Sequence, residues 1–307
     1  MTHRPYTGVY PALTTPFTED DGIDHETLAA NARRLETAGV DGIVPVGTTG
    51  ESATMTHDEH IEVIETVSAA VTEIPVIAGA GSNATHEALA LAERAADAGA
   101  DGLLLISPYY NKPEPAGMEH HFRTVADAVD LPQIIYNVPG RTGRNIAVET
   151  AVSLASHENV VGYKAASGDL NRVTQVIEGT REESFSVLSG DDALTVPMLA
   201  IGAKGCISVT ANVEPERVCA MVGAALDGDF ERARALHHEL GPLNRALFAE
   251  TNPIPVKAAM GIRDYMPERM RPPLSPLTDD NREELAAILA ALDRDTPQEL
   301  QVTQTDS

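Results

Sequence analysis

AGVDGI at 38–43, AGADGL at 98–103 and IGAKGCI at 201–207 are three versions of one phrase. In each, a glycine closes a helical stretch and a second glycine opens an apolar run. That is the layout of a helix C-terminus, its glycine cap and the next strand. Its recurrence marks an internal βα repeat. Working outward from these points, strands are expected at 9–17, 41–47, 74–81, 101–108, 132–139, 159–166, 185–191 and 205–210. Helical spacing of apolar residues fills the intervals: Leu28, Ala32 and Leu35 in 25–37; Ile61, Ile64, Val67 and Val71 in 56–71; Leu89, Ala92 and Ala96 in 85–98. The strand runs GIVPVG, IPVIAG, GLLLIS and QIIYNV are nearly continuous in apolar residues, as parallel strands covered on both faces require. Eight such units predict an α/β fold of the (β/α)8 TIM-barrel type rather than a doubly wound sheet. The glycine turns also lack a G-x-G-x-x-G fingerprint with a later acidic residue.

After residue 212 no further strand is expected. Residues 213–263 and 279–292 read as helices, more than an eighth unit needs, which predicts an appended C-terminal helical bundle. The expected division is a catalytic barrel over 1–223, a helical region over 224–294 and a flexible polar tail, DTPQELQVTQTDS, over 295–307.

Composition narrows the functional classes. The chain has 307 residues, 46 acidic against 22 basic, for a net charge of −24. Such a chain does not hold nucleic acid by counterion release, and no polybasic segment meets an anionic membrane. No window approaches a membrane span, and MTHRPYTGVY lacks a signal-peptide layout. Two cysteines, Cys206 and Cys219, do not staple a domain of this size, so a reduced, cytoplasmic setting is expected. At 43% hydrophobic residues the chain is not disordered. The acidity has two readings: a well-solvated surface, or a halophilic adaptation to a high-salt cytoplasm. The presence of only four lysines, Lys112, Lys164, Lys204 and Lys257, favours the second.

In a barrel the working residues stand at the C-terminal ends of the strands. Lys164 is the most informative. It lies in the apolar run NVVGYKAAS, where strict alternation puts Val160, Gly162 and Lys164 on one side. Burial lowers a lysine's pKa, and a neutral amine attacks carbonyls. The competing reading is a core-edge lysine that snorkels to water. Lys112 sits in a loop, Lys204 at the opposite end of the barrel and Lys257 in the C-terminal helices, all blander settings. Tyr136, at a strand end, is either a proton carrier with Thr48 and Tyr110 as hydroxyl partners or a packed core aromatic. Arg141, after a Pro-Gly turn, either meets a substrate carboxylate or decorates a surface loop. His57 and His60, three apart on a helix, make a poor zinc signature, and no metal is expected. The adjacent pairs His120/His121 and His237/His238 read as surface.

These residues fall within a recognisable set. GTTGESATMTHDEH at 47–60, SPYYNKP at 107–113, YNVPGRTG at 136–143, the Lys164 strand, LSGDDA at 188–193, ISVTANV at 207–213 and NPIPVKAA at 252–259 together resemble the dihydrodipicolinate synthases. These are a branch of the pyruvate-dependent class I aldolase and N-acetylneuraminate lyase family, and the resemblance spans roughly 5–292. It implies condensation of pyruvate with L-aspartate 4-semialdehyde to 4-hydroxy-tetrahydrodipicolinate, in lysine and diaminopimelate biosynthesis, through an imine on Lys164. No cofactor is implied, because the imine is itself the electron sink. Tyr136 would carry protons with Thr48 and with Tyr110, the latter reaching in from a neighbouring subunit. Thr49 and Ile207 would hold pyruvate beside Gly190, and Arg141 would bind the semialdehyde carboxylate. The resemblance also implies a homotetramer built as a dimer of dimers. It places an allosteric L-lysine site at Ser52, Ala53, His57, His60, Asn83, Glu87 and Tyr109. One departure is Ala165, where the family carries an acidic residue; alternation turns it away from Lys164. A 2-keto-3-deoxy sugar acid aldolase is the alternative, and a metal-dependent barrel hydrolase or a lysine-binding sensor the more distant ones.

Overall fold

A computed structural model describes residues 6–294. Seven strands, β1 (Gly8–Pro11), β2 (Ile77–Gly79), β3 (Gly102–Ile106), β4 (Gln133–Asn137), β5 (Val160–Ala165), β6 (Ser186–Ser189) and β7 (Gly205–Ser208), pair in parallel in the order β1-β7-β6-β5-β4-β3-β2. The run expected at 41–47 closes the ring between β1 and β2 as an irregular eighth stave. Ala12 bridges Val44, and Ile43 bridges Val76, both in parallel. Leu13 N donates to Val44 O at 2.9 Å and Ile77 N to Ile43 O at 2.8 Å. Prolines 11, 45 and 75 remove ladder donors from these adjacent stretches, which is why pairing here is reduced to single bridges. The result is the (β/α)8 barrel, with helices outside.

The repeated phrase has a structural explanation. Gly39, Gly99 and Gly202 all take left-handed φ, +82°, +91° and +109°, as helix-ending residues. The aspartate that follows in the first two copies reaches the neighbouring stave: Asp41 Oδ2 accepts from Val9 N at 2.8 Å, and Asp101 Oδ2 from Val76 N at 2.9 Å. In the third copy the backbone serves instead, with Gly8 N donating to the carbonyl of Lys204 at 2.9 Å.

Two apolar layers result. Tyr10, Val44, Ile77, Leu104, Ile134, Tyr136, Val161, Leu188 and Ile207 pack inside the ring, and a larger layer lies between strands and helices. On β5 strict alternation fails at one point. The register slips between Gln133 and Ile134, which pair with Val160 and Gly162. This bulge places Val161, not Val160, in the inner layer, while Val160 joins the outer one. Beyond the slip the alternation resumes, and Ala165 packs in the outer layer, away from Lys164, as expected.

The helices expected at 25–37, 56–71 and 85–98 are His25–Thr37, His57–Ala70 and Thr85–Asp97. Thr56 caps the second, in a capping box with Glu59. The later helical stretch resolves into Pro215–Leu226, Phe230–Ala246, Ile254–Ile262 and Asp279–Arg294. Arg217 joins Glu214 and Glu239, and Arg263 joins Glu214 at 2.6 Å and Asp293 at 2.5 Å, tying all four together. The tail expected at 295–307 lies outside the described residues. One surface assignment fails: His121 is buried, packs against Phe122 and pairs its Nδ1 with Thr85 Oγ1 at 3.0 Å. On the helix Pro115–Ala128 it faces inward with Met118, Phe122 and Val125.

Candidate active site

Lys164 stands near the C-terminal end of β5, directly opposite Tyr136 on β4 in the strand register. Its Nζ lies 4.2 Å from the centre of the Tyr136 ring. The side chain is 6% exposed, so the snorkelling reading is set aside. Burial pushes the amine down to about 8, against the pull of the Asp192 carboxylate, which favours the charged form. Gly190 is needed beside it: a Cβ there would stand 2.8 Å from Lys164 Cε.

Tyr136 is almost wholly enclosed. Burial raises its phenol to about 12, while the Arg141 charge and a hydrogen bond with Thr48 pull the other way. The phenol therefore stays protonated at neutral pH, and Thr48 is its hydroxyl partner within the chain. Tyr110 is not in this cluster; it is 88% exposed, on a left-handed φ of +65°. Arg141 is no loose surface arginine. Its Nη2 donates to Asn252 O at 2.9 Å, and it lines a cavity of about 530 Å³ together with Thr48 and Tyr136. Thr49 is buried, its Oγ1 accepting from Asn252 Nδ2 at 3.0 Å. Ile207 packs in the inner layer with Tyr136 and Leu188.

The same cavity runs on to a second cluster of Ser52, Ala53, His57, His60, Glu87 and Tyr109. His57 Nε2 lies 3.2 Å from Glu87 Oε1, and Ser82 Oγ donates to the same carboxylate group. His60 Nε2 is 2.6 Å from Gly79 O, and burial lowers the imidazole to about 4, so it is neutral and donates there. Asn83 does not line the cavity; its carbonyl accepts from Asn111 Nδ2 at 3.2 Å.

Three features escaped the sequence reading. Asp192, hidden in LSGDDA, is buried; it accepts from Ser208 Oγ at 2.5 Å and from Val209 and Thr210 N at 2.9 and 3.1 Å. It thus fixes the turn after β7; burial raises its own pKa, against the hydrogen bonds from Ser208, Thr210 and Val209 that hold it ionised, and in that form it favours the ammonium of Lys164. Asn252 joins Thr49 to Arg141. Lys257, given a bland place in the C-terminal helices, is instead fully buried in an ion pair with Glu51 at 2.6 Å. Only Asp192 had a local signal, an acidic residue following a strand end.

The profile of the Dihydrodipicolinate synthetase family matches residues 5–292. A 4-hydroxy-tetrahydrodipicolinate synthase of Natronomonas pharaonis is 73% identical over 294 residues, covering 96% of this chain and all of that one. The crystal structure of dihydrodipicolinate synthase from Aquifex aeolicus is 46% identical, with a TM-score of 0.92, over 94% of this chain and 98% of that one. The structure of the enzyme from Cyanidioschyzon merolae with lysine bound is 39% identical, with a TM-score of 0.91, over 94% and 98%.

Proposed function

The chain belongs to the dihydrodipicolinate synthetase family, and from that premise we propose how its barrel mouth works. The activity is that of a lyase of lysine and diaminopimelate biosynthesis, joining pyruvate to L-aspartate 4-semialdehyde to give 4-hydroxy-tetrahydrodipicolinate. The named relatives support this over cleavage of a 2-keto-3-deoxy sugar acid.

Lys164 attacks the ketone carbon of pyruvate, and water leaves as the imine forms. Loss of a methyl proton then gives an enamine, whose carbon adds to the aldehyde carbon of the second substrate. The observation that carries this reading is the buried Lys164 amine, brought to about 8 and set 4.2 Å from the ring of Tyr136. Tyr136 passes protons in concert with Thr48. Tyr110 completes the relay in a second copy of the chain, which accounts for a large aromatic held out in water on left-handed backbone. Thr49, Ile207 and Gly190 surround pyruvate, and Arg141, steadied by Asn252, takes the semialdehyde carboxylate.

The second cluster is the site of feedback by L-lysine. His57, Glu87 and Ser52 offer polar groups beside the neutral His60 and Tyr109, and the cavity they share with Thr48 and Arg141 puts an occupant next to the catalytic groups. The working assembly is a homotetramer in the cytoplasm. Each chain carries a barrel and an appended C-terminal helical region, which meet at the helix Pro215–Leu226 rather than at 223/224. Reduction by borohydride in the presence of pyruvate adds the reduced three-carbon adduct to the peptide bearing Lys164. An unmodified Lys164 with full activity retained would overturn the assignment.

A further inference from the structure

The turn at 47–51 carries Thr48 and Thr49 and is bracketed by two strained residues. Val46 has φ +50° and Glu51 φ +57°. Left-handed backbone is unfavourable for any side-chain-bearing residue, and most of all for a β-branched one, so it persists only where the surroundings over-determine it. The turn closes on itself: Glu51 N donates to Thr48 O at 3.1 Å and Ser52 N to Gly47 O at 3.3 Å. Whatever holds Glu51 therefore holds both threonines.

Glu51 is held from outside the barrel. Its Oε1 accepts from Lys257 Nζ at 2.6 Å and its Oε2 from Arg271 N at 3.1 Å. Lys257 also donates to Thr15 O at 2.9 Å and lies 4.3 Å from the Phe17 ring, while Thr15 Oγ1 donates to Gly50 O at 2.8 Å. Both side chains of the pair are sealed from solvent. Five residues before Lys257, Asn252 grips Thr49. An apolar pair would fill this space without taking two charges out of water, so packing alone does not account for it.

We propose that Glu51 and Lys257 are positioning residues: through them the helix Ile254–Ile262 sets the Thr48 and Thr49 hydroxyls over the Lys164 site, and so sets affinity for the 2-keto acid. This rests on the reading of that turn as the pyruvate site.

The test uses the full-length protein with pyruvate and the semialdehyde, comparing wild type, Glu51→Gln, and the uncharged pair Glu51→Gln with Lys257→Met. In the single variant, KM for pyruvate is expected to rise at least tenfold, and kcat to fall as well because Thr48 shares the relay with Tyr136. The borohydride-trapped adduct should still reach completion at saturating pyruvate. In the double variant the unpaired charge is gone, so thermal stability recovers towards wild type while KM stays high. Wild-type KM in either variant, or a KM that returns with stability in the double variant, would overturn the proposal as a purely structural ion pair. Failure of the wild-type protein to form any reducible adduct with pyruvate would instead remove the underlying site reading, and this inference with it.

Discussion

Asp192→Asn tests how the buried amine is tuned. The Asp192 carboxylate favours the ammonium form of Lys164, and burial opposes it with the larger effect, leaving the amine at about 8. With that value about one amine in ten is neutral at pH 7, roughly 300 times the neutral fraction of an ordinary lysine. Removing the negative charge removes the only carboxylate among the causes that hold the amine up, so the variant's amine must fall further. Nearby carboxylates move a partner by about one to three pH units; at the low end the neutral fraction at pH 7 rises about fivefold. The assay is the rate of formation of borohydride-reducible adduct at fixed pyruvate, quenched at intervals from pH 5 to 10. For wild type the rate should climb about tenfold per pH unit and level off near pH 8. For Asp192→Asn the break should come at lower pH, with faster adduct formation at pH 7. Asparagine keeps one acceptor for Ser208 or the turn after β7, so the comparison concerns charge first. A break at the same or higher pH in the variant, or a wild-type rate still rising tenfold per unit beyond pH 9, would refute the reasoning.

Lys164→Met abolishes adduct formation, and because burial disfavours the charged amine it should leave the fold at pH 7 no less stable than wild type despite the loss of Asp192's partner; thermal unfolding of the two proteins checks it. Gly190→Ala sets a methyl 2.8 Å from Lys164 Cε and should slow adduct formation at least tenfold with little change in secondary structure by circular dichroism. Burial lowers His121 to about 4, below its unfolded value, so its contribution is present above pH 6.5 and is lost as pH falls towards 4. His121→Leu should flatten that acid limb in urea titrations between pH 7 and 4. With a net charge of −24, the thermal midpoint and the assembly should both fall on dialysis from 1 M to 0.05 M salt, as the Debye length grows from about 3 Å to over 10 Å; calorimetry and sedimentation read the two effects.

Much of the fold was legible because it is written in short-range chemistry. A glycine that must take left-handed φ, in two of three copies an aspartate two residues later, and a run of apolar residues lie within one phrase, and its repetition marks the βα unit. The position of Lys164 followed from the same local rule: a lysine in a continuous apolar strand stands out wherever that strand goes. Alternation also turned Ala165 outward correctly, but misplaced Val160, since a bulge depends on the partner strand and not on the run itself. His121 looked exposed because it was read with its neighbour His120, although it keeps the inward helical spacing of Met118 and Val125.

The sequence by itself determined the barrel, the lysine that stands out as the candidate nucleophile and, through its motifs, the kinship. Only the tertiary structure decided what those groups are able to do. Arg141 and Asn252 are 111 residues apart, and Glu51 and Lys257 are 206 apart, yet each pair is within hydrogen-bond distance. No window of sequence contains both partners. The value of about 8 at Lys164 is likewise a property of enclosure, set by how much water the fold removes and how near it brings Asp192. Desolvation and Coulomb energy act through space, and neighbours in space are what folding alone supplies.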